Sequence, residues 1–162
     1  MTEPVGAPGA ATAGRWFRRF LFEFRGFDEV CFLQMGHKMA RCLIVDDHGD
    51  TRAGYAEFLS AFGFDVRTAA DADELRAVLG DWLPDAIVLD LQLPRTDGWE
   101  LTREIKSDPR TRQISIVVVS ACVLPAERAA AEEAGCDAFI NKPCDPMLIV
   151  EELRRRTSTP QD

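Results

Sequence analysis

Long apolar runs are missing from this chain. Nowhere do about 18 consecutive apolar residues occur, the length a helix needs to cross a bilayer. The basic start around Arg15 to Arg19 is followed by Glu23 and Arg25 rather than by an unbroken apolar stretch, which argues against a secretory leader. Histidine is scarce, with two in 162 residues, and the five cysteines (Cys31, Cys42, Cys122, Cys136, Cys144) are odd in number, widely spaced and without a CxxC pair. That pattern argues against a disulfide framework or a zinc site and makes the reducing cytoplasm the expected compartment, with the cysteines as small core hydrophobes. Positive charge is lacking as well: the net charge is -8, and the chain from Met39 onward holds fourteen basic against twenty-three acidic side chains. Such a surface is a poor electrostatic match to nucleic acid.

What is present fits one domain with a tail, since 162 residues build one hydrophobic core comfortably and two only with difficulty. Residues 1–14, MTEPVGAPGAATAG, offer almost nothing to bury and read as disordered. Between Arg15 and Phe27, Phe17, Phe20, Leu21 and Phe24 fall at helical spacing while Arg18, Arg19 and Arg25 lie largely off that stripe, the pattern of a short amphipathic helix ended by Gly26. Such a helix could meet a partner or a membrane surface, the second being the less favoured. Met39 stands just ahead of the first regular strand, so residues 1–38 also read as an overextended gene start. The expected domain is 39–157, with a tail at 158–162.

From Arg41 the rhythm is regular. Cys42 to Val45 is a buried strand; Asp50 can cap a helix that turns Tyr55, Phe58, Leu59 and Phe62 inward, with Gly63 just past its end. Phe64 to Thr68 reads as a strand, Asp71 to Leu79 as a helix, Ala86 to Leu89 as a strand, then a loop with Pro94 and a helix over Asp97 to Ser107. The unit repeats with a strand at Ile114 to Val119, a helix at Pro125 to Ala134, a strand at Ala138 to Ile140 and a helix at Pro146 to Arg156. Five strand-then-helix units predict an α/β fold, a doubly wound five-stranded parallel sheet with helices on both faces. Ligands of such folds bind beyond the carboxyl ends of the strands. The polar residues there are Asp46 and Asp47 after the first strand, Asp90 after the third, Ser120 after the fourth, and Asn141 and Lys142 after the fifth.

Three carboxylates at one sheet edge repel one another unless a cation neutralises them. An oxygen-only set with water completing the shell suits Mg²⁺. A carboxylate beside Mg²⁺ can be a nucleophile toward phosphorus, with Lys142 as a second cation and Ser120 as a hydroxyl donor. Nothing in the set activates water strongly, so an acyl phosphate formed there should persist.

These residues sit in four strings, LIVDD (Leu43 to Asp47), IVLDLQLPRTDG (Ile87 to Gly98), VVVSA (Val117 to Ala121) and FINKP (Phe139 to Pro143). In that order and at those element ends they resemble the receiver domain of bacterial two-component response regulators, over essentially all of the chain beyond Met39. The resemblance implies strand order 2-1-3-4-5, Asp90 as the phosphoacceptor, Asp47 as a direct Mg²⁺ ligand and Asp46 acting mainly through water. It further implies the backbone carbonyl of Gln92 as a ligand, Ser120 and Lys142 as phosphoryl-binding groups, Ser120 and Phe139 as the switch pair, and a cis bond before Pro143. Implied partners are a sensor histidine kinase or a histidine phosphotransfer protein, and a downstream protein on the face made by the fourth helix, fifth strand and fifth helix. Taken singly, the paired aspartates could be a helix-start signal, Ser120 a turn residue and Phe139 a core aromatic. His48 reads as a loop residue.

Other functions fit less well. Haloacid-dehalogenase-type phosphatases place their nucleophile after the first strand with a second Asp two positions on, where this chain has His48. A flavodoxin-like FMN binder wants a glycine- and hydroxyl-rich phosphate loop, and DDHGD carries the opposite charge. The remaining alternative is a non-phosphorylated docking scaffold. After Arg156 only TSTPQD follows, so a stand-alone, non-enzymatic switch acting by docking or relay is expected.

Overall fold

The computed structural model describes residues 39–121 and 125–157. The expected disorder at residues 1–14, the amphipathic helix at 15–27, Cys31, Cys122 and the tail at 158–162 lie outside these residues. The described residues belong to a compact unit that begins at Met39.

Its main sheet has five parallel strands, β1 (Arg41–Val45), β2 (Asp65–Ala69), β3 (Ala86–Leu89), β4 (Ser115–Ser120) and β5 (Ala138–Asn141), in the spatial order β2-β1-β3-β4-β5. The helices are α1 (Gly49–Ala61), α2 (Ala72–Asp81), α3 (Gly98–Ser107), α4 (Pro125–Ala134) and α5 (Pro146–Thr157). The doubly wound sheet and the order implied by the four strings are both present. Strand side chains are buried on both faces: Leu43, Val45, Ile87, Leu89, Ile116 and Val118 join one core with Leu75 of α2 and Leu101 and Ile105 of α3. Their neighbours Ile44, Val88, Val117 and Val119 are equally buried, and the sheet is touched there by α1 and α5. Burying each such aliphatic side chain contributes about 1.5–3 kcal/mol, which pins the strand register.

Helix starts lie close to the expected ones, with the cap residue standing outside. Asp71 caps α2 by accepting from the backbone N–H of Asp73 and Glu74, and Asp97 caps α3 by accepting from Trp99. The first helix differs. Asp50 lies inside its first turn, the cap position belongs to His48, and no side chain caps it. The reason is that the Asp46 carboxylate already takes the His48 N–H at 2.8 Å, turning the chain into helix two residues before Asp50. Of the four side chains expected inward on this helix, Phe58 and Leu59 are buried, while Tyr55 and Phe62 are only partly so. Gly63 follows with φ 88°, a conformation natural to glycine. The loop after β3 contains a two-residue antiparallel ladder, Gln92–Leu93 against Thr96–Asp97, that hydrophobic period does not announce.

Candidate functional site

The parallel ladders run one residue beyond the strands and so set out the site. Asp46 donates its N–H to the carbonyl of Ala69, Asp90 to that of Val45, and Lys142 to that of Ser120. The residues following β1 and β3 are thereby held side by side at the carboxyl edge, where strand order reverses, and Lys142 follows β5 on the same edge, two strands from β3. Ser120 ends β4 opposite Asn141.

Within this edge the Lys142 ammonium stands between two buried carboxylates, 2.8 Å from Asp46 Oδ2 and 2.6 Å from Asp90 Oδ2. Asp46 and Asp90 are 2% and 4% exposed, a burial that two carboxylates tolerate only when paired. Desolvation is the largest influence on Lys142 and pulls its pKa down, but hydrogen bonds and charge from Asp46 and Asp90 outweigh it and leave the pKa raised. The ammonium therefore stays charged at neutral pH. The second oxygen of each acid is also held: Asp46 Oδ1 accepts from His48 N–H, and Asp90 Oδ1 accepts from Gln92 N–H at 2.9 Å. Arg52 donates to the backbone carbonyl of Asp46 at 2.6 Å. The Lys142–Pro143 peptide bond is cis.

Ser120 is fully buried, and its Oγ is the buried side-chain polar atom, among the described residues, without a hydrogen-bond partner. An unsatisfied buried hydroxyl costs about 1–3 kcal/mol.

Three features escaped the sequence. The His48 imidazole lies 2.7 Å from Asp47 Oδ1, and Asp46, Asp47 and His48 each offer one ligand atom within 4.8 Å of the others. Trp99 of α3 stacks on Phe139, which is half-buried, with centroids 6.4 Å apart and planes at 22°. Tyr55 reaches Cys144 Sγ at 3.8 Å, and its pKa is raised first by burial, then by Cys144, Asp46 and Asp90. Each depends on neighbours distant in sequence or on side-chain direction, neither of which the spacing of residue types reveals.

A family model for the response regulator receiver domain matches residues 42–154. The chain belongs to this family. Among curated relatives, it is 35% identical to the response regulator PleD of Caulobacter vibrioides over 73% of this chain and 26% of PleD. It is 36% identical to the phosphate regulon transcriptional regulatory protein PhoB of Pseudomonas aeruginosa over 71% of this chain and 52% of PhoB. The chain thus spans between about a quarter and about half of these relatives' length. Among solved structures, the chemotaxis response regulator CheY4 of Vibrio cholerae superposes with a TM-score of 0.68 at 25% identity, covering 73% of this chain and 98% of CheY4. The receiver domain of sensor histidine kinase PA1611 from Pseudomonas aeruginosa, which has a magnesium ion coordinated in its active-site cleft, superposes with a TM-score of 0.68 at 25% identity. That alignment covers 75% of this chain and all of the PA1611 domain. This receiver domain is a signalling module of two-component type. Among its described residues no helix is long and apolar enough to cross a membrane.

Proposed function

We propose that this receiver domain is a phosphoryl-accepting switch of the cytoplasm, in which Asp90 takes a phosphoryl group from a histidine kinase or a histidine phosphotransfer protein. The observation that carries the reading is the Lys142 ammonium shared between the buried Asp46 and Asp90 carboxylates. An Asp90 carboxylate oxygen attacks the phosphorus of the donor phosphohistidine, the P–O bond forms as the P–N bond breaks, and the departing imidazole keeps the electron pair and takes a proton from solvent. Lys142 stays cationic and balances the charge carried by the phosphoryl oxygens. Asp46, Asp47, Asp90 and the Gln92 carbonyl are oxygen donors of the hard kind Mg²⁺ takes and would hold that ion. When bound, that ion neutralises charge on the attacking and phosphoryl oxygens.

The unpartnered Ser120 hydroxyl supports a role in reading the result. A phosphoryl oxygen on Asp90 gives it the partner it lacks, so the conformation that brings Ser120 inward gains stability by that difference alone. Inward movement of Ser120 frees space for Phe139 to leave its stack on Trp99, which reshapes the face made by α4, β5 and α5. A downstream protein docks there.

The discriminating experiment is incubation with acetyl phosphate and Mg²⁺ followed by intact-mass measurement. One phosphoryl group per chain is expected. A docking scaffold would gain none, and that result would overturn the reading.

A further inference from the structure

Trp99 ties the acceptor loop to β5. It stands in the first turn of α3, where its N–H is held by Asp97 Oδ1 at 2.8 Å. The residue before it, Gly98, lies so close to Leu91 that an added Cβ would come within 2.7 Å of Leu91 Cα. Leu91 in turn follows Asp90, whose Oδ1 takes the Gln92 N–H at 2.9 Å. Trp99 is therefore seated against the loop that carries Asp90. Its ring meets Phe139 of β5, with centroids 6.4 Å apart and planes at 22°, inside the range where aromatic pairs attract beyond the area they bury. Both rings are half-buried and pack on the core that holds Leu91, Leu101 and Val118, and Val118 is also the ladder partner of Phe139.

We propose that Trp99 is a positioning residue of the switch: its stack on Phe139 holds that ring in its resting place and so sets how readily the domain adopts the phosphoryl-bound conformation. The inference rests on the proposed roles of Asp90 as acceptor and Phe139 as the aromatic that moves. The stack is made while the Ser120 hydroxyl is unpartnered, so its energy belongs to the resting state and is given up when Phe139 turns. A contact made in only one of two states biases the equilibrium by its full strength. A group that binds Asp90 in the second state is then weakened by that factor, because only the competent fraction takes it up. Removing the stack should therefore tighten binding at Asp90, the reverse of what a merely structural role predicts.

The probe is beryllium fluoride with Mg²⁺, a stand-in for the phosphoryl group, titrated into the full chain and followed by fluorine NMR, which needs no tryptophan signal. Trp99→Leu keeps apolar bulk without an aromatic ring, Trp99→Phe keeps a ring that can stack, and Phe139→Leu removes the same stack from the other side. Trp99→Leu and Phe139→Leu should each lower the concentration at half occupancy by about two- to tenfold, while Trp99→Phe stays within about 1.5-fold of the native chain. Adding Trp99→Leu to Phe139→Leu should move that concentration by no more than about 1.5-fold further, because two rings acting through one contact are not additive. Unchanged or weaker binding by Trp99→Leu would overturn the inference. So would additive gains in the double variant, which would place the effect of Trp99 outside the stack. Phe139→Leu binding as the native chain does would overturn it equally, whether or not Trp99→Leu folds. A native chain that binds no beryllium fluoride removes the acceptor reading and this inference with it, while binding that ignores Trp99 removes this inference alone.

Discussion

At Ser120 the proposed switch role and the stability of the resting domain pull in opposite directions. Its hydroxyl is buried and unpartnered, so Ser120→Ala should raise the stability of the resting domain by about 1 kcal/mol, read as a higher urea midpoint at unchanged slope. The same variant should still accept phosphate while losing most of the change in partner affinity that phosphate brings. A fall in stability of similar size would show that the hydroxyl has a partner in the resting state. Lys142→Ala should injure both steps, because it takes the cation from between two buried carboxylates and leaves their charges uncompensated. Residue types at strand ends were legible in the sequence because burial on both sheet faces leaves only the ends for polar groups. The pairing of Lys142 with Asp46 was not, since 96 residues separate them and no local pattern links them.

At the scale of elements, the junction between β3 and α3 has little room to change. A Cβ added at Gly98 would lie 2.7 Å from Leu91 Cα, and because that neighbour is backbone the chain itself must shift. Gly98→Ala should cost about 1–3 kcal/mol, as overpacking does, and should slow phosphate uptake because Leu91 adjoins Asp90; a neutral urea midpoint would contradict the close approach. Two helices are joined across the same region by a two-pronged bridge, Arg76 of α2 donating to both Glu104 oxygens of α3 at 2.8 Å. The Arg76 hydrogen bonds hold the Glu104 pKa below its ordinary 4.5, opposed by burial and aided by the guanidinium charge. A carboxyl lowered in the folded state contributes stability above the unfolded value and loses it as the pH falls through the folded one. Both side chains are nearly half exposed, so the bridge is worth about 0.2–1 kcal/mol. The stability gap between the native chain and Arg76→Gln should therefore close as the pH drops below 4.5; a gap independent of pH would show that packing, not charge, joins the helices. Element boundaries were readable where a chemical break coincides with a structural one: β3 occupies Ala86–Leu89 between Asp85 and Asp90. They were missed where a local side-chain bond decides, as when Asp46 sets the start of α1 by taking the His48 N–H, and where an element is too short to carry a period, as in the ladder at Gln92 and Thr96.

Across the whole molecule, the site is assembled from residues that follow three different strands and end a fourth, spread from Asp46 to Lys142. It exists only when the sheet is closed in its proper order, so the acceptor chemistry and the global fold stand or fall together. The acidic excess beyond Met39 makes this domain's own surface a poor electrostatic match to nucleic acid. The proposed function depends on one phosphoryl group arriving at one carboxylate. The direct measurement is phosphoryl labelling from a small phosphodonor with Mg²⁺, followed by hydroxylamine treatment, on the native chain and on Asp90→Asn. The account predicts a single hydroxylamine-sensitive label in the native chain and none in Asp90→Asn, while undiminished labelling of Asp90→Asn would contradict it.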